Sequence, residues 1–343
     1  MTTSPEAGPR APEASATSPP KPEVEFELGA YDYVVLGDNA QVLPLLPDAS
    51  FQLIYIDPPF NTGRQQVRRT LKTSAVDGPG RPGFGGRRYT SEEVGRTAYL
   101  DHFSDYLGFL APRLGQARRL LRPDGTLYFH IDYREAHYCK LLLDEIFGRD
   151  CFLNEVIWAY DYGGRPKRRW PAKHDTILVY VRDPASYYFN QDAVERIPYM
   201  APGLVPPDKA LRGKSPTDVW WHTIVPTSGP EKTGYPNQKP EGILRRVLQA
   251  SSAPGAWVLD FFAGSGTTGA VARKLGRRFV LVDSNPLAFQ VMRRRLGTAR
   301  VSYLTATPSG YQLFDPSDPD APQPQPTSQN PAGQAKARRR TTS

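Results

Sequence analysis

Hydrophobic and polar positions along the 343-residue chain follow two alternating periods. Tyr33-Val34-Val35-Leu36 and Leu53-Ile54-Tyr55-Ile56 are apolar runs of strand length. Thr126-Leu127-Tyr128-Phe129-His130-Ile131, Ala256-Trp257-Val258-Leu259-Asp260 and Phe279-Val280-Leu281-Val282-Asp283 are further strand candidates. Helical spacing lies between them. Over 103–121, Tyr106, Leu107, Leu110, Leu114 and Leu121 fall on roughly one face, and Arg122-Pro123-Asp124-Gly125 is a turn signal. A second helix runs through Lys140-Leu141-Leu142-Leu143-Asp144-Glu145-Ile146-Phe147, and a third carries Ala270 to Leu275. Ile243, Leu244, Val247 and Leu248 share the face of another, which Pro254-Gly255 stops. Strands alternating with helices predict an α/β fold, a doubly wound, mostly parallel Rossmann-like sheet covered on both faces.

Two stretches break the alternation. Residues 64–98 are rich in Gly and Arg, which predicts a flexible basic loop, and residues 184–235 are rich in Pro, Tyr and Trp without a period, which predicts an inserted region. Both ends lack apolar periodicity, so 1–27 and 313–343 are expected to be disordered tails, the second of them basic.

Charge narrows the partners. Forty-three Lys and Arg against 35 Asp and Glu leave a net charge of +8, which favours an anionic partner such as nucleic acid. The two cysteines, Cys139 and Cys151, form no metal-ligand spacing, the histidines show none either, and no metal is expected. No apolar run is long enough to span a bilayer, so the expectation is a cytoplasmic protein without a membrane partner.

Two motifs carry chemistry. The first is Asp57-Pro58-Pro59-Phe60, where a buried strand runs into a carboxylate, a stiff proline pair and a ring. The second is Phe262-Ala263-Gly264-Ser265-Gly266-Thr267-Thr268-Gly269, which follows a strand and opens a helix. Glycines there let a ligand approach the backbone, and the helix start offers free N–H groups. Asp283 ends the next strand, where a carboxylate can accept from ribose hydroxyls. Taken literally, the glycines satisfy the dinucleotide pattern, with Asp283 about 20 residues on. A nicotinamide oxidoreductase and a structural glycine turn are therefore rival readings of this segment alone. If the strands before the two motifs are neighbours, a nucleoside-bearing cofactor against the glycines faces Asp57.

This pairing resembles the amino-methyltransferases of DNA, in which Asp-Pro-Pro-Tyr/Phe is the catalytic motif and Phe-x-Gly-x-Gly the cofactor loop. The order of motifs, catalytic first and cofactor loop last, resembles the beta class. Supporting segments are Gly37-Asp38, Leu121-Arg122-Pro123-Asp124-Gly125, Asn154-Glu155-Val156-Ile157-Trp158, His174-Asp175-Thr176-Ile177-Leu178-Val179-Tyr180 and Thr233-Gly234-Tyr235-Pro236-Asn237-Gln238-Lys239-Pro240. The resemblance covers roughly 31–296.

The resemblance implies a site-specific DNA methyltransferase using S-adenosylmethionine on a flipped base in double-stranded DNA. Adenine N6 is favoured over cytosine N4, because the Asp-Pro-Pro form goes mostly with adenine. An RNA methyltransferase is a more distant alternative. The implied catalytic residues are Asp57, Pro58, Pro59 and Phe60. Asp57 and the Pro58 carbonyl would accept from the amine, and Phe60 would stack on the base. Cofactor contacts fall to Asp38, Gln238, Lys239, Phe262, Ala263, Gly264, Ser265, Gly266, Thr267, Thr268 and Asp283.

Residues 28–183 then form the catalytic half, 184–235 the target-recognition insertion and 236–312 the cofactor half. Arg64, Arg87 and Arg88 are candidate phosphate clamps. Lys167, Arg168 and Arg169, interleaved with Trp158, Tyr160, Tyr162 and Trp170, read equally as a nucleic-acid surface or a partly packed hairpin. A homodimer and a cognate restriction endonuclease are possible partners.

Overall fold

The structure is a computed structural model. It describes residues 27–29, 31–61, 64–76, 81–82, 88–101, 103–226, 228–308 and 310–314. Among them, one sheet holds ten strands. In chain order the strands of this sheet and its neighbour are β1 (Asp32–Leu36), β2 (Phe51–Ile56), β3 (Arg64–Val76), β4 (Arg81–Pro82), β5 (Arg88–Asp101), β6 (Leu121–Asp132), β7 (Phe152–Ala159), β8 (His174–Val181), β9 (Val219–Trp221), β10 (Trp257–Asp260), β11 (Arg278–Asp283), β12 (Val301–Ala306) and β13 (Tyr311–Leu313). The helices are α1 (Asn39–Val42), α2 (Tyr106–Leu120), α3 (Ala136–Phe147), α4 (Pro207–Arg212), α5 (Glu241–Ser251), α6 (Thr267–Lys274) and α7 (Pro286–Leu296).

The main sheet runs β13-β12-β1-β11-β10-β2-β6-β8-β7-β9. From β12 to β6 every pairing is parallel, and β8 then joins β6 and β7 antiparallel. All six residues of β2 are buried, as a strand covered on both faces requires. Its side chains alternate between two cores. Ile54 and Ile56 pack with Leu110, Leu114 and Phe129 on the α2 side. Leu53 and Tyr55 pack with Ile243, Leu244 and Val247 of α5 on the other. The chain leaves β10 through α6 and leaves β2 toward α2, so its two directions diverge between adjacent strands. That point is where ligands settle in doubly wound sheets.

The Arg-Pro-Asp-Gly turn signal appears as an irregularity. Phe51 faces Leu121, but Leu53 already faces Thr126, so 122–125 loop out of the β2–β6 ladder. The loop expected over 64–98 is corrected for its described residues: β3, β5 and β4 form a separate antiparallel sheet, Arg64 opposite Asp101 through Val76 opposite Arg88. Val67, Thr70, Thr73, Val76, Tyr89, Thr90, Val94, Thr97 and Tyr99 supply strand propensity that the glycine and arginine count obscured.

Within 184–235, β9 adds to the main sheet beside β7, and Glu195 pairs with Arg246 of α5. Both expected tails lie almost wholly outside the described residues.

Candidate active site

β10 and β2 are neighbours, Val258 opposite Leu53 and Leu259 opposite Ile54. Both chemical motifs therefore leave the carboxyl edge of the sheet side by side. A cleft of about 840 Å³ opens there, lined by both of them and by Asp38, Tyr160, Tyr235, Lys239 and Asp283.

The Asp57 side chain is 19% exposed. Its Oδ1 is buried without a hydrogen bond, with His130 Nδ1 3.6 Å away. Its Oδ2 is ion-paired with the Lys239 ammonium. A buried carboxylate oxygen without a donor is costly, and here the cost falls on the oxygen turned toward His130, not on the one held by Lys239. The Pro58 carbonyl also carries no hydrogen bond among the described residues. The loop is braced from outside. Tyr106 Oη donates to the Pro59 carbonyl at 2.6 Å. Asn61, at φ +50°, donates to Glu135 and accepts from the Phe103 N–H.

Behind Asp57 lies a polar chain that the sequence did not reveal. His130 is fully buried, with Nδ1 2.8 Å from the Tyr55 hydroxyl and Nε2 3.2 Å from Asp175. Tyr160 Oη donates to the other Asp175 oxygen at 3.0 Å. Burial alone would raise the Asp175 carboxyl; the His130 hydrogen bond and charge, then Lys239 and Tyr160, bring it below the usual range. The Phe60 ring packs 5.7 Å from His130, which fixes the ring's position beside Asp57.

The glycine loop is held from beneath. Asp260 accepts from the Phe262 N–H at 3.1 Å and from Thr268 Oγ1 at 2.6 Å. Asp283 accepts from the Gly264 N–H at 2.7 Å and from the Asn285 N–H at 2.8 Å. Gly264 has φ +50° and Gly266 φ +70°. A Cβ on Gly264 would meet the Tyr235 ring at 3.2 Å, and one on Gly266 would meet Met292 at 2.7 Å. The backbone here is thus a cradle that a side chain would fill, which fits a nucleoside-bearing cofactor.

The other expected cofactor residues divide by what their polar atoms already do. Thr267 Oγ1 bonds the Lys239 carbonyl and Arg295, and Thr268 is committed to Asp260, so both hydroxyls serve the scaffold. Ser265 Oγ lies 3.0 Å from Thr267 Oγ1. The Gln238 amide is held by Thr233 and the Glu231 carbonyl, closing the 231–238 turn. Phe262 packs on Phe109, and Ala263 is buried. Asp38 caps α1, accepting from the Ala40 N–H, and pairs with Arg113 at 3.1 Å while its side chain stays half exposed. Arg113 also donates to Asn39 and stacks on Phe109.

Of the basic candidates, Lys167, Arg168 and Arg169 are exposed on the β7–β8 connection, whose Tyr160 and Tyr162 line the cleft. Lys173 Nζ ties that connection together through the Tyr162, Gly163 and Gly164 carbonyls. Trp170 is exposed. Trp158, grouped with the surface rings, is instead buried against His130, its indole N–H donating to the His222 carbonyl at 2.7 Å. Arg64 and Arg88 begin β3 and β5, and Arg87 lies outside the described residues. No cluster of metal-ligating side chains occurs among the described residues.

Burial pushes the Asp260 carboxyl up to about 7, with Asp57 and Asp283 adding to the shift against the Thr268 and Phe262 hydrogen bonds. Its folded value exceeds the ordinary 3.8, so the folded chain binds this proton more tightly than the unfolded one. The contribution to stability is full below about pH 4 and is lost as pH rises through about 7. Denaturant unfolding at pH 5 and pH 8 should show a smaller drop for Asp260→Asn than for the parent. An unchanged drop would remove Asp260 as its source.

Comparison with known proteins places this arrangement. A family model described as DNA methylase matches residues 51–293. A DNA adenine methyltransferase, YhdJ of Escherichia coli K12, is 30% identical over 274 residues, covering 78% of this chain and 83% of that protein. The type II methyltransferase M.HpaI of Haemophilus parainfluenzae is 28% identical over 263 residues, covering 77% and 73%. In fold, the chain is similar to the PvuII DNA methyltransferase, described as cytosine-N4-specific, with a TM-score of 0.54, 15% identity and coverage of 80% and 92%. It is also similar to M1.HpyAVI in its complex with SAM, with a TM-score of 0.50, 20% identity and coverage of 78% and 99%. The family match begins on β2, carries Asp57 and Phe60, and ends past the glycine loop and Asp283: the chain belongs to the N6/N4 DNA methylases.

Proposed function

We propose that this enzyme methylates the exocyclic N6 of a flipped adenine at a specific site in duplex DNA, with S-adenosylmethionine as donor. The observation that carries the reading is the adjacency of Asp57-Pro58-Pro59-Phe60 and the glycine loop on neighbouring strands of one cleft. Gly264, Ser265, Gly266 and Phe262, with Asp38, Asp283 and Lys239 around them, are the residues that would hold the cofactor. Gln238, Thr267 and Thr268 position those groups. Bound there, S-adenosylmethionine supplies an electrophilic sulfonium methyl.

The chain's own residues supply the rest. An aryl amine is a poor nucleophile because its lone pair is delocalised into the ring. Asp57 and the Pro58 carbonyl each accept one N–H, which favours a pyramidal nitrogen and frees the lone pair. As positive charge grows on nitrogen, the same two acceptors stabilise it. The surplus proton leaves after attack, since the neutral amine is far too weak an acid to lose it first. His130, Tyr55 and Asp175 position Asp57 from behind. Phe60 offers a face for the extruded base.

Flipping costs about a few kcal/mol. Stacking on a ring returns roughly 1–3 kcal/mol per base. The two are comparable, so Phe60→Ala should weaken the flipped complex about 5- to 150-fold and leave some turnover, while Phe60→Tyr stays near neutral. Target-base fluorescence and single-turnover methylation measure both steps; normal flipping in Phe60→Ala contradicts the stacking role.

Support for adenine comes from similarity to a protein described as a DNA adenine methyltransferase and from the Asp-Pro-Pro form of the motif. Cytosine N4 presents the same two N–H groups to the same acceptors and is the second reading. Lys167, Arg168 and Arg169, with Arg64, Arg87 and Arg88, supply phosphate contacts in this proposal. A second copy and a cognate endonuclease belong to it as partners. Exposed Tyr138 and Leu141 on α3 support the first, and similarity to a type II methyltransferase supports the second. No helix among the described residues is long and apolar enough to cross a membrane, and the reading implies a cytoplasmic enzyme. Methylome sequencing of DNA from expressing cells reports base and site together: methylated adenine in one sequence context supports the proposal, and unmodified DNA overturns it.

A further inference from the structure

We infer that Lys239 occupies the seat of the target amine in the DNA-free enzyme and that cofactor binding draws it away, making base capture depend on the cofactor. The inference rests on the methyltransferase reading above.

Asp57 has one oxygen to offer the cleft. Oδ1 is buried toward His130, so a base entering from the cleft meets Oδ2. Oδ2 is the oxygen held by the Lys239 ammonium. The same ammonium lies 5.0 Å from the Phe60 ring centroid, within cation–π reach of the ring that the base would use. One side chain thus fills two of the substrate's three contacts, as a donor to Asp57 and a partner for Phe60. Its side chain is 11% exposed. Lys239 cannot keep this position during transfer. The amine becomes cationic as it reacts, and two cations within hydrogen-bond reach of one carboxylate oxygen repel each other.

The structure also indicates how the lysine is released. Its carbonyl accepts from Thr267 Oγ1, which anchors its backbone to the first residue of α6, next to the glycine loop. Its flexible side chain can swing about that anchor. S-adenosylmethionine carries a carboxylate at its amino-acid end, an anion that competes with Asp57 for the ammonium. The two carboxylates beneath the loop are already engaged, Asp260 by the Phe262 N–H and the Thr268 hydroxyl and Asp283 by the Gly264 and Asn285 N–H groups. Lys239 therefore has two anions to choose between, and only one choice leaves Asp57 free.

The test uses the full chain, S-adenosylhomocysteine and a duplex of the methylated site that keeps the target adenine and carries 2-aminopurine next to it, where loss of stacking reports the flip. In the parent, S-adenosylhomocysteine should raise affinity for the flipped complex by about 5- to 150-fold, the usual span of coupling between two sites. Lys239→Met should flip the base without cofactor as well as the parent does with it, and the increment on adding S-adenosylhomocysteine should vanish. Lys239→Arg, which keeps a cation, should retain a suppressed cofactor-free state. The parent alone supplies a check free of any variant. By linkage, the site duplex must raise S-adenosylhomocysteine affinity by the same factor, read by calorimetry. Equal affinity with and without duplex, or a Lys239→Met enzyme that flips no better than the cofactor-free parent, overturns the inference. A parent that methylates no DNA overturns the underlying reading instead, so the two failures are distinguishable.

Discussion

Asp57→Ala should leave duplex binding near that of the parent and cut the methyl-transfer step by at least about 10²–10³-fold, the usual cost of removing one preorganised transition-state contact. The asymmetry follows from when the contact matters. In the ground state the amine is neutral, and its hydrogen bond to a carboxylate is modest. In the transition state it is cationic, and the same hydrogen bond becomes charge-assisted in a site walled by Phe60, Trp158 and Tyr55. The substitution also leaves Lys239 without its carboxylate partner, and an unpaired, mostly buried ammonium destabilises. Thermal unfolding in parallel separates that effect from catalysis. Single-turnover assays measure the loss, and a near-normal rate in a folded variant would make Asp57-Pro58-Pro59-Phe60 a structural turn.

Gly264→Asp should reduce cofactor binding below detection by calorimetry with S-adenosylhomocysteine. Three effects act together. The residue sits at φ +50°, which costs an L side chain roughly 1–2 kcal/mol. Its Cβ lies 3.2 Å from the Tyr235 ring, so the new side chain must intrude on the cradle. Its carboxylate would also stand beside Asp283, whose Oδ2 accepts from the Gly264 N–H. Gly264→Ala carries the backbone cost and the Cβ contact without the charge and should bind more weakly than the parent but measurably. Equal binding by Gly264→Asp would remove the loop from the cofactor site.

The strands and the two motifs were legible because each is written in a contiguous stretch. Leu53-Ile54-Tyr55-Ile56 is apolar on both faces, and the glycines after β10 sit where a helix must open. Their adjacency was a conditional in the sequence and is met by the β10–β2 pairing. The literal dinucleotide pattern at Gly264–Gly269 illustrates the opposite case. It is shared between cofactor classes, and only its partnership with Asp57 distinguishes them. The contacts around Asp57 were not legible, because they join residues remote in the chain. Lys239 is 182 positions from Asp57, and His130 is 75 from Tyr55. Nothing in the local pattern of Leu127-Tyr128-Phe129-His130-Ile131 marks its histidine as different from a core residue. Arg113 was hidden for the same reason, as one cation on an amphipathic helix. The β3–β5 pairing failed to read because glycine and arginine outweighed a strand signal spread through polar residues.

The account turns on transfer to an exocyclic amine by the Asp57 cleft. The most direct measurement is nucleoside mass spectrometry of duplex DNA incubated with S-adenosylmethionine bearing a deuterated methyl group, for the parent and for Asp57→Ala. The account predicts labelled N6-methyldeoxyadenosine from the parent and none above background from the variant. Label in a base-carbon position, or equal labelling by Asp57→Ala, would contradict it.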